Sequence, residues 1–180
     1  MKKSNKPLES EFNNKNILSI GNKEIQYLKK KSILSPKNRY RICLHNNTNH
    51  LTQEMVICIN GFSYIRPHKH PKNISESYHL IEGALDVYIL DNSGKIINKV
   101  KLRSKNKNFR KNDSYMYRLS GPLFHFTVPT SRWTVYHEVT TGPFTKRKTV
   151  EYAKFSPDEN ASLDEINKFL SKYKIKNYEK

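Results

Sequence analysis

From Tyr40 onward the sequence consists of brief runs rich in Val, Ile, Tyr and Phe, separated by clusters of Gly, Pro, Asn and Asp. The first group favours strands and the second favours turns, so the pattern predicts many short strands in a two-sheet sandwich or a barrel. The segment between Asp91 and Gly94 supplies the positive φ that a tight hairpin needs. The predicted strands are Arg39–His45, Gln53–Ile59, Phe62–Arg66, Glu76–Ile81, Leu85–Leu90, Lys95–Leu102, Ser114–Leu119, His125–Val128 and Thr134–Val139.

A helix is predicted on each side of these strands. Residues Glu24–Ser35 carry apolar side chains among lysines in a weak amphipathic pattern, which Pro36 ends. Near the other end, Ser162 and Glu165 match a capping box, in which the hydroxyl and the carboxylate satisfy free backbone amides at the start of a helix. Apolar residues follow at helical spacing, and we expect them to pack on the sheet or on a second subunit.

The length of 180 residues favours one domain, because two independently folded halves would each bury too small a core. We divide the chain into an N-terminal segment with a short helix (1–38), a β-barrel (39–157) and a C-terminal helix and tail (158–180). No internal repeat or low-complexity linker interrupts this order.

The formal charge is strongly positive, with 33 Lys and Arg against 16 Asp and Glu and a net charge of +17. Such a field attracts polyanions. The lysines are nevertheless spread along the whole chain, and the sequence lacks a helix-turn-helix, an RNA-binding aromatic motif and a clustered basic stripe. We therefore interpret the charge as a compositional background and expect no nucleic-acid partner.

The cellular compartment is predicted from sequence signals. No stretch is apolar over enough residues to cross a membrane, and the residues after Met1 lack the apolar core of a secretory signal. We therefore expect a cytoplasmic protein without a membrane partner. Because thiols stay reduced in that compartment, Cys43 and Cys58 are interpreted as small buried residues of two strands.

Two histidines, His68 and His70, stand two residues apart. Side chains at this spacing lie on one face of a strand, so both imidazoles can converge on one ion. The turn after Pro71 can bring Glu76 of the next strand beside them. An inward-facing His125 from a distant strand would complete a set of three imidazoles and one carboxylate.

This set predicts one divalent metal ion, whose identity stays open between iron, manganese, nickel and zinc because affinity order alone does not select among them. The rivals of the distant ligand are His45, His79 and His137. If Glu76 faces the interior, His79 points away from it, since residues an odd number of positions apart face opposite sides of a strand.

These residues resemble the first motif of the cupin superfamily, proteins with a double-sheet β-barrel of jelly-roll type. The family pattern is a Gly, a His-x-His pair, a Glu a few residues on and a later Gly, and Gly61, His68, His70, Glu76 and Gly83 fit it. The second cupin motif is altered in the turn before its last His. The resemblance implies a mainly β fold, a double-sheet jelly-roll barrel with short N- and C-terminal helices.

A wider resemblance, over roughly residues 35–157, is to the WbuC family of cupin-fold metalloproteins. It implies a small metal-binding cupin of the kind often associated with bacterial surface-polysaccharide (O-antigen-like) gene clusters, and a homodimer. It implies neither a substrate nor a reaction. The segments that carry it are Ser35–Pro36, Arg39–Arg41, Gln53–Met55, Ser63–His70, Ser75–Gly83 and His137–Phe144.

Tyr64 and Arg66 share the strand parity of the His pair, which predicts that they face the same site. A guanidinium there suits an anionic or hydroxyl-rich small molecule such as a sugar. The alternative for Arg66 is a structural ion pair with Glu54 or Glu138.

Aromatic and titratable residues complete the candidate site. Tyr78 and Tyr136 are candidates for substrate binding, with a purely structural place in the core as the alternative. Tyr64, Glu82 and His137 are candidates for carrying a proton in catalysis.

Two classes of function follow from this set. The first is a metal-dependent enzyme acting on a sugar or nucleotide-linked sugar, with isomerisation or epimerisation favoured. The second is a non-catalytic cupin module that binds a metal or a sugar. A metal-free sugar isomerase that uses His and Tyr as acid and base is disfavoured by the carboxylate of Glu76.

Protein purified without a metal-affinity tag is expected to contain a divalent metal, and His68→Ala is expected to contain much less, because it removes one of the ligands. Elemental analysis of both proteins measures this. Bound metal should also decrease as the pH falls through roughly 6 to 5, where imidazoles take up protons. Equal metal in both proteins would contradict the predicted site.

Overall fold

The computed structural model describes residues 9–61, 63–105 and 109–176, which form strands β1 to β11 and helices α1 to α3. In chain order these elements are β1 (Ser10–Phe12), α1 (Asn22–Leu34), β2 (Arg39–Cys43), β3 (Thr52–Asn60), β4 (His68–Lys69), β5 (Ser75–Glu82), β6 (Ala84–Leu90), β7 (Ile96–Arg103), β8 (Met116–Ser120), β9 (Phe124–Pro129), β10 (Trp133–Thr141), α2 (Lys146–Thr149), β11 (Glu151–Tyr152) and α3 (Leu163–Ser171).

The strands form two sheets that face each other. The first sheet has the order β1-β2-β3-β10-β5-β8, and the second has the order β11-β4-β9-β6-β7. The pair β1–β2 is parallel, and the other strand pairs of the described chain are antiparallel. This is a double-sheet jelly roll with short helices on either side, so the predicted mainly β fold class is confirmed.

Strand β3 shows how the sequence fills both sides of a sheet. Met55 and Ile57 point between the two sheets, whereas Val56 and Cys58 point outward to helix α1. Because both faces are covered, the strand is a nearly continuous apolar run rather than an alternating one. Cys58, like Cys43 on β2, is buried and unpaired, as predicted.

The two longer helices cover the outer faces of the sheets. Helix α1 buries Ile25 and Leu28 against the first sheet. Helix α3 buries Phe169 against the second sheet, and its predicted capping box between Ser162 and Glu165 is present. The C-terminal helix therefore packs on a sheet of its own chain. In the part of the chain that the structure describes, no helix is long and apolar enough to cross a membrane.

The predicted strand at Phe62–Arg66 is wrong for its described part, and Phe62 itself lies outside the described residues. Residues 63–67 are irregular because they carry the chain from the first sheet to the second, and Pro67 has no backbone N–H for a ladder. A guanidinium nitrogen of Arg39 satisfies the carbonyl of Tyr64 instead, at 2.8 Å. Strand alternation consequently does not run through this segment to His68.

Gly83 joins β5 to β6 with a φ of +86°, a conformation that other residues rarely adopt. A Cβ at this position would collide with the carbonyl oxygen of Trp133 and with the hydroxyl of Ser131. The backbone of the turn thus lies directly against the start of strand β10, where a side chain does not fit.

Gly83→Ala is therefore expected to lower the free energy of unfolding by more than about 2 kcal/mol, from backbone strain and collision together. Chemical denaturation measures the change. Gly121→Ala is the matched control, since Gly121 has a φ of +99° but nothing within 4 Å of the added Cβ. Equal losses in the two variants would show that the collision contributes nothing.

Candidate metal centre

Four side chains from both sheets meet between the sheets. His68 lies on β4, His70 directly follows it, His125 lies on β9, and Glu76 comes from β5 of the facing sheet. One potential ligand atom from each of the four lies within 4.8 Å of all the others. The structure therefore brings together the four residues that the sequence predicts as ligands.

Strand register explains the meeting. His68 and His125 are direct partners on adjacent antiparallel strands, and their ring centroids are 4.4 Å apart. A turn closed by the bond from the Ile74 amide to the Pro71 carbonyl (2.9 Å) then returns the chain to the first sheet. There Glu76 faces the imidazoles.

The three imidazoles share one orientation. Each has its Nδ1 at hydrogen-bond distance from a backbone carbonyl, which can only accept, so each ring carries its proton on Nδ1. The three Nε2 atoms are left as lone pairs, in the arrangement that histidine ligands of metals adopt. The carbonyls belong to Arg66 for His68 (2.9 Å), Thr149 for His70 (2.6 Å) and Leu123 for His125 (3.1 Å).

The shortest contact in the cluster joins two atoms that both accept. Nε2 of His125 is 2.7 Å from Oε1 of Glu76, yet this buried nitrogen has no hydrogen-bond partner in the described structure. With the proton on Nδ1, the two lone pairs repel each other unless a cation lies near them. Three imidazole nitrogens and a carboxylate oxygen are a donor set that suits a divalent first-row metal, so the residues fit such an ion.

The protonation states also suit a metal. Desolvation lowers the pKa of His68 to about 3, and His125 acts in the same direction, so His68 stays neutral. Burial acts to raise the pKa of Glu76, but the adjacent rings of His125 and His70, which attract the carboxylate when they are protonated, hold this pKa well below its usual range. Burial acts to lower the pKa of His70, but the carboxylate of Glu76, which favours the protonated ring, leaves this pKa raised.

Two tyrosines orient the carboxylate of Glu76. Tyr117 donates its hydroxyl to Oε1 at 2.9 Å, and Tyr78 donates to Oε2 at 3.2 Å. Burial, reinforced by the charge of Glu76, raises the pKa of both phenols well above the usual value, so both remain donors. The carboxylate is thereby fixed facing the three Nε2 atoms.

A cavity of about 380 Å³ lies beside the cluster, between the first sheet and the segment around α2. His68, His70 and Glu76 lie in its wall, so a metal held there would be accessible to a small molecule. Further polar or charged side chains line it. Arg41, Tyr136, Glu138 and Thr140 lie on the first sheet, and Lys146 lies on α2.

Glu138 is the most unusual of these residues. Its carboxylate has no hydrogen-bond or ion-pair partner among the described residues. Burial raises the pKa of Glu138 to about 7, and the negative charge of Glu76 acts in the same direction. Glu138 can therefore take up or release a proton near neutral pH.

Tyr64 and Arg66 do not face the cluster, contrary to the prediction from parity. The hydroxyl of Tyr64 donates to the Pro157 carbonyl at 3.2 Å, and Arg66 forms an ion pair with Asp158 at 2.9 Å. Ile65 lines the cavity instead. The parity argument fails because this segment is irregular. The alternative prediction for Arg66 was a structural ion pair with Glu54 or Glu138. Arg66 does form such an ion pair, but its partner is Asp158.

Glu82 and His137 also lie away from the cavity. Glu82 forms a surface ion pair with Lys29 at 2.5 Å. His137 faces outward on β10, where its ring packs against His79 at a centroid distance of 5.6 Å. The outward direction of His79 was predicted. The ring of His45 borders the cavity, but its Nδ1 is bound to the backbone of the neighbouring strand.

Tyr78 and Tyr136 do line the cavity, whereas three other residues of the site were not recognised in the sequence. Tyr117, Arg41 and Glu138 all lie on strands with alternating polar and apolar residues. The alternation shows which residues of a strand share a face with each of these three. It could not tell which face points inward, because both faces of these strands contain apolar residues.

Comparisons with known proteins support no identification beyond the fold. A family model described as a domain of unknown function, DUF6016, matches residues 20–102, less than half of the chain. No curated protein matches the sequence.

Solved structures similar to this chain include a Shewanella oneidensis protein, a Schizosaccharomyces pombe Cnp3 cupin domain and an oxalate oxidase in complex with glycolate. Their TM-scores are 0.48, 0.42 and 0.47, and their identities are 9%, 9% and 15%. The matches cover 58%, 57% and 79% of this chain and 63%, 64% and 69% of the other chains, so the first two matches span less than two thirds of those proteins. At such values the fold assignment rests on the strand order and register.

Tyr117→Phe is expected to weaken metal binding about tenfold or more, because it removes a hydrogen bond that orients Glu76. Calorimetric titration of the metal-free protein with Zn²⁺ measures the affinity. Tyr136→Phe is the matched control, a buried tyrosine of the same hydrophobic core that makes no hydrogen bond to Glu76. If both variants bound Zn²⁺ as the original protein does, the orienting role of Tyr117 would be wrong.

Proposed function

We propose that this chain binds one divalent metal ion through His68, His70, Glu76 and His125, and uses it to bind a small molecule in the adjacent cavity. The observation that carries the proposal is the 2.7 Å approach of Nε2 of His125 to Oε1 of Glu76 without a hydrogen bond. The three fixed tautomers support it, because they direct every free lone pair toward the carboxylate.

A bound divalent ion would act as a Lewis acid toward a carbonyl group or vicinal hydroxyls of the ligand. The protein's own residues supply the rest of the site. Glu138 lines the cavity with a carboxyl group whose pKa burial raises to about 7, and the ring of Tyr136 forms part of the wall. These groups suit proton transfer at a carbon next to a polarised carbonyl, as in isomerisation or epimerisation.

The ligand is proposed to be a sugar or a nucleotide-linked sugar. A cavity of about 380 Å³ with hydroxyl, carboxyl and guanidinium groups supports a polar ligand of that size. The resemblance to WbuC proteins supports a role in surface-polysaccharide metabolism and a homodimer, and the sequence signals described above support a cytoplasmic location.

The second candidate is a non-catalytic module that binds a metal or a sugar. One observation favours it, which is that Tyr64, Glu82 and His137 all lie outside the cavity wall. Of the groups discussed as proton carriers, Glu138 remains.

Glu138→Gln separates the two candidates. For an isomerase or epimerase, the metal-loaded protein should exchange carbon-bound protons of a nucleotide sugar with D₂O, and the variant should exchange at least about a hundredfold more slowly while keeping its metal. Proton NMR of a panel of nucleotide sugars, with elemental analysis, measures both.

Glu54→Gln is the control, because Glu54 is a half-exposed carboxylate of the same sheet outside the cavity. Metal binding without exchange in any protein would favour the non-catalytic module. Absence of metal from the original protein would overturn the proposed function itself.

A further inference from the structure

Arg41 places a guanidinium on the cavity wall, and no carboxylate of the described residues lies within ion-pair distance of it, although its charge lowers the pKa of Glu138 in the same wall. Among the described residues its side chain has one polar contact, from Nη1 to the thioether sulfur of Met55 at 3.8 Å. By comparison, Arg39 on the same face of β2 has both a hydrogen-bond acceptor and an ion-pair partner. It donates to the Tyr64 carbonyl at 2.8 Å and pairs with Glu159 at 2.9 Å.

This contrast is informative because both arginines border the same cavity. A guanidinium carries five N–H donors, and a thioether is only a weak acceptor. Most donors of Arg41 are therefore available to a molecule in the cavity. A carboxylate or a phosphate matches them best, since both can accept two parallel hydrogen bonds from the planar fork.

The charges around the cavity favour an anion once a divalent ion is bound. The lining contains equal numbers of cationic and carboxylate side chains, and Glu159 pairs with Lys37 and Arg39. The ammonium of Lys146 lies over the ring of Tyr152 at 5.5 Å, with no described carboxylate within ion-pair distance. A divalent ion would add further positive charge.

The register sets the size of the ligand. Arg41 is opposite Ile57, which is opposite Tyr136, whereas Glu76 is opposite Thr140. Tyr136 and Thr140 are four residues apart on β10, roughly 13 Å along the strand. The guanidinium of Arg41 extends along the sheet to Met55, which is opposite Glu138, so the gap left to the metal donor set is shorter than this and suits a monosaccharide with an anionic substituent.

We propose that Arg41 binds the carboxylate or phosphate of an acidic or phosphorylated ligand of monosaccharide size, while the other end of the ligand lies at the metal donor set. This inference rests on the proposed function and narrows its ligand class. Arg41 thereby takes the anion-binding role that the sequence had assigned to Arg66.

The test compares D-glucose with D-glucuronate and D-glucose 6-phosphate, which share most of the sugar and differ in charge. Calorimetric titration of the full metal-loaded chain should show at least one anionic sugar binding about tenfold or more tightly than glucose. The comparison of the two anionic sugars distinguishes carboxylate from phosphate. If neither anionic sugar binds more tightly than glucose, the inference is overturned.

Arg41→Gln should abolish the preference for the anionic sugar, and Arg41→Lys should lose part of it, because an ammonium keeps the charge but not the planar fork. Arg118→Gln is the matched control, since it removes the same charge from an exposed position on β8 outside the cavity. An unchanged preference in Arg41→Gln would contradict the proposal.

Two further measurements separate this inference from the proposed function. Thermal unfolding checks that each variant is folded, and the lysine variant provides the test if the glutamine variant is not. Elemental analysis reports the metal independently of the sugar. Absence of metal from the original protein would overturn the proposed function, whereas bound metal without an anion preference would overturn the role of Arg41 alone.

Discussion

The site depends on backbone carbonyls that fix the protons of three imidazoles. Because Nδ1 of His68, His70 and His125 each face such a carbonyl, all three Nε2 lone pairs are free to face Glu76. The carboxylate is oriented in turn by the hydroxyl of Tyr117. An isolated polar cluster between two apolar sheets would be costly. Here the three Nδ1 atoms and the carboxylate have hydrogen-bond partners in the surrounding structure. The three Nε2 atoms face the carboxylate.

The two-sheet architecture produces this cluster through register rather than through local sequence. His68 and His125 become neighbours because β4 and β9 pair directly, although they are far apart in the chain. Glu76 comes from the opposite sheet, so the donor set forms only when the two sheets pack. The same packing closes the cavity between them. A bound metal would therefore stabilise the packed sheets, since the ligands do not converge in the unfolded chain.

The sequence anticipated those features that depend on short-range periodicity. The strands and the two-residue spacing of His68 and His70 follow from strand alternation within a few residues. The capping box at Ser162 follows from helical spacing over a similar distance. The same reasoning failed at Arg66, because the irregular residues 63–67 break the alternation before the His pair is reached. It also placed His137 among the candidates for chemistry, although that ring faces outward from β10.

The sequence by itself determined the β class of the fold, the two flanking helices and the identity of the residues able to form a metal site, because these follow from local propensity and from side-chain chemistry. Only the tertiary structure decided which face of each strand points into the cavity. That choice gave Arg41 and Glu138 their places in its wall and put Arg66 and Glu82 elsewhere. The physical reason is that strands such as β2 and β3 are buried on both faces, one against the other sheet and one against a helix or loop. Apolar residues therefore occur on both faces, and the pattern does not mark the inner one.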